Sequence, residues 1–315
     1  MHSNLCTLFE GDYHLGVAAL VNSLVRNGFE GDIWAGYRGS LPPWAASLKR
    51  IEENSYQVID SVKIHFLALE PRVHFANYKP QFMLSLLEKT DAKALWYCDP
   101  DITIRCRWSF FVEWVRYGVT LCQEIANGSM PRNHPLRLMW VDIASQYGLG
   151  TPGEFDQYFN SGFVGLQAEN IDFLQLWSLL LDAATSVGVD LSNSAVGGKS
   201  SIATDDRSYP FSHWCDQDTL NMAVMYTKCP LSTIGPEGMG FARGGFTMYH
   251  AVGSPKPWKK RMIRAALNGL PPSDADKHFV ENLAGPIYPY TDAELKAIRL
   301  TSKIGAAIGR FYHRN

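Results

Sequence analysis

Ala94-Leu95-Trp96-Tyr97-Cys98-Asp99-Pro100-Asp101 runs five apolar residues into two carboxylates held one residue apart by a proline. A continuous apolar run of this length reads as a buried strand of a parallel sheet, and in open α/β sheets ligands bind just beyond such strand ends. Two acids left there unpaired would be costly, because desolvated like charges repel. A divalent cation bridging them to an anionic ligand resolves the conflict. Oxygen donors of this type suit Mn²⁺ or Mg²⁺, with a diphosphate as the natural anion. Asp and Pro also favour ordinary turns, so the tripeptide by itself leaves a simple turn open as the alternative. The rest of the chain has to decide between them.

The totals narrow the field. With 315 residues, 46% of them hydrophobic and 19% charged, the chain reads as a globular protein with one large domain, or one domain and a small annex. A net charge of -2 argues against a dedicated nucleic-acid binder. Six cysteines at 6, 98, 106, 122, 215 and 229 show no CxxC and no compact framework, which fits a reducing, cytoplasmic setting. Cys98 reads as a small buried filler, not a nucleophile. No apolar run approaches a membrane span, and no signal peptide is expected.

From the acidic strand end outward, strand and helix patterns alternate. Leu5 to Phe9 is a strand, followed by a helix carrying Val17, Ala18, Val21, Leu24 and Val25, and by a strand over Asp32 to Tyr37. This order predicts a right-handed βαβ unit. Val58 to Leu69 carries a further strand. Pro80 is expected in the first turn of a helix whose Phe82, Met83, Leu86 and Leu87 share a face. Val119 to Glu124 and Ser161 to Gln167 are strands, Ile171 to Val187 an internal helix, and Cys215 to Met225 another helix. Ser186 to Ser212 reads as a long loop and Gly235 to Gly245 as a glycine-rich one, with a brief strand at Thr247 to His250.

Near the C-terminus Thr291-Asp292-Ala293-Glu294 has capping-box spacing. Lys296, Arg299, Lys303, Arg310 and Arg314 then fall on one helical face, with Leu300, Ile304, Ile308 and Phe311 beside them. Such a helix suits peripheral contact with an anionic membrane at its inner face, or simple docking on the domain with a solvated outer side.

Four further stretches carry chemistry. Phe159-Asn160-Ser161-Gly162 offers an amide and a hydroxyl where a strand begins. Asp216-Gln217-Asp218 with Leu220-Asn221 sets an acid and an amide side by side at a helix start. Tyr249-His250-Ala251-Val252-Gly253-Ser254-Pro255-Lys256-Pro257-Trp258 combines a metal-capable imidazole, a turn glycine and a lysine. Tyr13, at the end of the first strand, could stack on a base.

Together these motifs, from Thr7 to Trp258, resemble glycosyltransferase family 8. These are retaining enzymes of the GT-A fold that include glycogenin and bacterial lipopolysaccharide galactosyl- and glucosyltransferases. The resemblance implies a Rossmann-like, mostly parallel sheet flanked by helices over 1–258, and a small helical, basic annex over 259–315. It implies that Asp99, Asp101 and His250 hold Mn²⁺ (or Mg²⁺), which binds the diphosphate of a UDP-sugar. Lys256, and Gly253 through its backbone, would meet the same phosphates. Tyr13 would stack on uracil, with Thr7 and Leu8 near the base. Lys79, in Tyr78-Lys79-Pro80, matches the family's basic residue upstream of the acidic pair. Asn160, Asp216 and Gln217 would surround the sugar, and Trp258 would pack behind the phosphate loop. The expected reaction moves glucose or galactose to a glycan, glycolipid or protein acceptor. A sugar-nucleotide nucleotidyltransferase is the nearest rival. Phe9 to Leu15 holds one glycine and no lysine or arginine, unlike the basic glycine-rich loop such an enzyme uses. A non-catalytic sugar-nucleotide sensor would keep every binding motif.

Overall fold

The computed structural model describes residues 2–125, 129–192 and 215–311. The chain opens with β1 (Ser3–Glu10), α1 (His14–Arg26) and β2 (Gly31–Arg38), followed by β3 (Lys49–Glu52), β4 (Ser55–Ile59) and β5 (Val62–Ala68). Next come α2 (Phe75–Lys89), β6 (Ala94–Cys98), β7 (Ile102–Ile104), α3 (Trp108–Trp114), β8 (Val119–Gln123), α4 (Pro135–Gln146) and β9 (Phe159–Gln167). The remainder is α5 (Ile171–Ser186), α6 (Cys215–Tyr226), β10 (Leu231–Ile234), β11 (Met248–His250), α7 (Met262–Leu267), α8 (Asp274–Glu281) and α9 (Asp292–Phe311).

Nine strands form one sheet in the order β10-β8-β9-β6-β1-β2-β5-β4-β3, and β11 pairs with β7 in a second, two-stranded sheet. The central β6, β1, β2 and β5 are parallel neighbours, while β9 and β4 alone run against the other strands of the large sheet. The α/β class with a mostly parallel sheet is therefore the observed one. Alternation along β1 divides the core. Cys6 and Leu8 join a cluster with α2, α5 and α6, and Leu5 and Phe9 join one with α1 and α3. The sheet is thus covered on both faces, which is why its central strands read as continuous apolar runs.

Val58 to Leu69 carries β5 as expected, and its first two residues end β4, which the Asp60-Ser61 turn separates from the antiparallel β5. Several expectations change. Pro80 lies inside α2, since the helix starts earlier, where the His74 imidazole caps it by accepting from the Ala76 N–H. Helix α5 is amphipathic, not internal: Asp172, Gln175, Leu179 and Asp182 face solvent, and the wholly buried helix is α6. The loop expected over 186–212 falls mostly outside the described residues. Its described beginning is anchored, with the Leu191 carbonyl accepting from the His74 N–H and the Asn77 amide. The short 3-10 turn at Pro236–Met239 interrupts the glycine-rich loop. No helix among the described residues is long and apolar enough to cross a membrane.

The C-terminal elements pack onto α1. Met262, Phe279, Val280, Leu283 and Leu295 share a small core with Ala19, and the buried Asn22 amide bonds the Asn282 and Ile287 carbonyls. The Thr291/Glu294 capping box forms at the entry to α9.

Candidate active site

The strand ends bring the motif residues to one edge of the sheet. Because β6 is parallel to β1, Asp99 and Tyr13 emerge on the same side. Strand β9 runs the other way, so its start, Asn160 to Gly162, arrives beside the end of β6. The backbone tightens the acidic turn through the Asp99 N–H on the Gly162 carbonyl and the Ile102 N–H on the Asp99 carbonyl. Beyond the turn, β7 pairs with β11 in a register that sets His250 opposite Ile102. Asp101 and His250 are thereby neighbours across a two-stranded ladder.

Asp99, Asp101 and His250 each offer a ligand atom, and these atoms all lie within 4.8 Å of one another. His250 Nε2 stands 3.2 Å from Asp101 Oδ1 and 3.8 Å from Asp99 Oδ2. Two carboxylates and an imidazole are a donor set suited to a divalent cation of intermediate hardness. Lys256 Nζ lies 2.5 Å from Asp101 Oδ2 and also donates to the Ala251 carbonyl. Burial by itself would push the Asp101 carboxyl up. The adjoining His250 and Lys256 more than reverse this and hold it well below the usual range.

A second cation sits beneath. Lys79, on α2 and buried, reaches Asp99 at 3.2 Å, Asp216 at 3.1 Å, and both the carbonyl and hydroxyl of Ser161 at 3.2 Å. Burial would lower the pKa of this ammonium, yet the two carboxylates keep it above its ordinary value. Its donors are enclosed by these oxygens, so it lies behind the carboxylates with little surface to offer a phosphate. Tyr97 donates to Asp99 at 2.8 Å from the buried strand below.

Helix α6 is fixed by reciprocal bonds between the Asn221 side chain and the Phe159 backbone. Asp216 lies in the first described turn of that helix, and its Oδ2 accepts from Ser161 Oγ at 2.6 Å. The Gln217 side-chain oxygen accepts from the Ser161 N–H at 3.1 Å. The Asn160 amide donates to Glu124 at 2.5 Å, and its oxygen accepts from the Gly162 N–H at 2.8 Å. Glu124 was not singled out from sequence. It ends a buried strand as Asp99 does, and that was the available signal.

Two glycines are required by close approach. A Cβ on Gly162 would lie 2.5 Å from His250 Cε1, and one on Gly16 would lie 2.2 Å from the Pro100 carbonyl oxygen. Helix α1 thus presses directly on the acidic turn.

The remaining expected residues are dispersed around this centre. Tyr13 meets Trp258 edge-on at 5.1 Å, with Lys256 Nζ 6.0 Å from its ring centroid. Burial, then the Asp101 and Asp99 charges, push its phenol pKa up. Trp258 packs between Tyr13 and Phe279. Gly253 adopts φ +81 in the loop leading to Lys256. Thr7 is fully buried in β1, and its hydroxyl has no partner among the described residues. Leu8 is packed in the core between the sheet and the helices of that face, with its side chain turned away from the strand-end cleft's surface. Cys98 is fully buried, and that burial raises its thiol pKa.

With this geometry in view, the comparisons with solved structures agree on the fold. The apo structure of the bifunctional glycosyltransferase WbbM aligns with 95% of this chain and 52% of its own length, at TM-score 0.55 and 14% identity. The glycosyltransferase GlyE of Streptococcus pneumoniae TIGR4 aligns with 98% of this chain and 64% of its own, at TM-score 0.51 and 12% identity. The chain therefore spans between half and two thirds of these proteins. No family model and no curated protein matches the sequence. The chain has a glycosyltransferase fold. Its strand-end cluster of Asp99, Asp101 and His250 is one that could bind a metal.

Proposed function

We propose that the chain is a metal-dependent, retaining hexosyltransferase of the family 8 type, using a UDP-sugar as donor. The reading divides it into a nucleotide-sugar domain over 1–258 and an annex over 259–315. What carries it is the meeting of Asp99, Asp101 and His250 beside Lys256 at the strand ends of a glycosyltransferase fold.

In this reading Asp99, Asp101 and His250 hold Mn²⁺ or Mg²⁺. When bound, the cation supplies Lewis-acid stabilisation of charge building on the departing UDP. Lys256 adds an ammonium at the same place, and the Gly253 backbone lines the loop that carries it. Lys79 orients Asp99 and Asp216 from behind. Tyr13 and Thr7 flank the base, with the Leu8 backbone beside them. Asn160, Asp216 and Gln217 line the sugar, with Glu124 fixing the Asn160 amide so that its oxygen and nitrogen do not interchange.

The retaining assignment rests on what the chain can offer as a base. Inversion needs a carboxylate that deprotonates the acceptor from the face opposite UDP. Gln217 is an amide, Asp216 is engaged by Lys79 and Ser161, and Asp218 accepts from the Tyr158 hydroxyl. Front-side attack, with a phosphate oxygen taking the acceptor proton, requires no protein base.

The test is slow release of UDP from UDP-glucose and UDP-galactose with Mn²⁺ present and no acceptor. Calorimetric titration of UDP with and without Mn²⁺ accompanies it. Asp101→Asn is expected to abolish metal-dependent UDP binding while the protein stays folded. Unchanged UDP affinity in that variant would sink the metal assignment. Binding without turnover of any UDP-sugar, even with acceptor mixtures, would favour a sensor.

A further inference from the structure

The annex differs in charge from the rest of the chain. Residues 259–315 hold ten Lys and Arg against five Asp and Glu, whereas residues 1–258 hold nineteen against twenty-six. The three acids at 274, 276 and 281 are on α8, and Asp292 and Glu294 lie in the first turn of α9. From Leu295 to Phe311 helix α9 carries no acid at all.

Helix α9 is also unusual in what it exposes. It docks through Leu295, Ser302 and Gly305, the last of these so close to Met262 that a Cβ would sit 2.9 Å from its carbonyl oxygen. On the opposite side Lys296, Arg299, Lys303 and Arg310 point into solvent. Alongside them, at i, i+4, i+7 and i+11, run Leu300, Ile304, Ala307 and Phe311, with Leu300 58% and Phe311 90% exposed. Pro271 packs against Gly309, and just before it Leu267 and Leu270 are exposed as well. An apolar row of this length has nothing to bury it within the described residues. A flanking row of cations is the wrong border for a site that meets the equally basic face of a second copy. It is the right one for a lipid surface bearing negative charge, into which the apolar row sinks while the cations stay at the headgroups.

We infer that the annex docks on an anionic membrane surface through the outer face of α9, with Leu267 and Leu270 beside it. The inference stands independently of the transferase reading, because it uses neither the metal cluster nor a donor. It also gives the annex a purpose in addition to packing. Helix α8, which contacts the β7–β11 sheet, links the docked face to the strands holding Asp101 and His250.

The experiment is co-sedimentation of the full chain with vesicles of phosphatidylcholine alone, and of phosphatidylcholine with about a third phosphatidylglycerol, at low and high salt. Binding is expected only to the anionic vesicles and is expected to weaken with salt. Each cation near such a surface contributes about fivefold to partitioning. Lys296→Glu with Arg299→Glu and Lys303→Glu should therefore lower it more than about a hundredfold. Leu300→Ser with Phe311→Ser should weaken binding while leaving the charge unchanged. These positions are exposed, so circular dichroism and thermal unfolding are expected to match the parent. Failure of the parent chain to bind anionic vesicles at low salt overturns the proposal, as does undiminished binding by both variants. So does a concentration-dependent dimer, seen by sedimentation equilibrium, that Leu300→Ser with Phe311→Ser abolishes while vesicle binding persists.

Discussion

Replacing Gly162 by alanine tests the site through one methyl group. The added Cβ would lie 2.5 Å from His250 Cε1 and 2.8 Å from both Asn160 Oδ1 and Asp99 Oδ2. Ordinary carbon contacts fall at about 3.5–4.0 Å, so the overlap at the imidazole is about 1 Å. The neighbours have little room to yield. Asn160 is tied to Glu124, and Asp99 to Tyr97 and Lys79. The displacement therefore falls mainly on His250. Overpacking of this kind costs about 1–3 kcal/mol, which in a chain of this size lowers Tm by several degrees. A ligand shifted by about 1 Å can cost a reaction on the order of a hundredfold. Calorimetry should show weakened Mn²⁺ binding, and the UDP-release assay should fall in step. Gly150→Ala is the control, since nothing lies within 4 Å of its added Cβ, and it should behave as the parent. A Gly162→Ala protein with parental Tm and parental Mn²⁺ affinity would refute the steric reasoning.

Lys79→Met removes a buried ammonium and leaves Asp99 and Asp216 facing one another, which should cost about 3–5 kcal/mol in urea unfolding. Adding Asp216→Asn to that variant should recover part of the loss, because one orphaned charge is then gone. Burial, together with Arg105 and Arg26, lowers the His278 pKa to about 4, below its ordinary value, so the native state resists protonation there. That contribution is fully present above about pH 6.5 and is lost as pH falls toward 4, by roughly 2–3 kcal/mol, and His278→Gln should flatten the difference in urea midpoint between pH 7.5 and pH 5. For the reaction, proton NMR of the new anomeric centre should show an α-linked product from an α-linked donor, and Gln217→Ala should slow transfer without changing that outcome. A β-linked product would overturn the family 8 assignment.

The acidic strand end was legible because burial and charge collide there in consecutive residues. Five apolar positions followed by Asp99 and Asp101 read as a strand delivering charge to a sheet edge once the other motifs weigh against a simple turn, and β6 does that. Phe159 to Gly162 and Asp216 to Asn221 were visible for similar reasons, as polar residues set into otherwise apolar segments. Strand β7 was not, because three residues are too few to show a period, and its existence depends on β11 arriving from far along the chain. Lys79 was found by resemblance, yet its enclosure follows from α2 beginning before Pro80, which the proline signal had misplaced. Glu124 was passed over because a single acid at a strand end has no partner in the sequence. Its partner, Asn160, is brought to it by β9 pairing with β8.

The pairing of Lys256 with Asp101 has a kinetic consequence. Counting the groups in direct ionic contact, three carboxylates (Asp99, Asp101 and Asp216) meet two ammoniums (Lys79 and Lys256). Those five groups together carry one unit of negative charge and repel a free diphosphate. A divalent cation would turn them positive by one unit. It would also compete for the Asp101 oxygen that Lys256 holds, leaving the ammonium with only the Ala251 carbonyl, beside the place a diphosphate would take. In the proposed transferase, loading would then be ordered by charge, with the cation first and the nucleotide second. Initial-rate patterns with metal and donor varied together should show a compulsory sequence, not a random one.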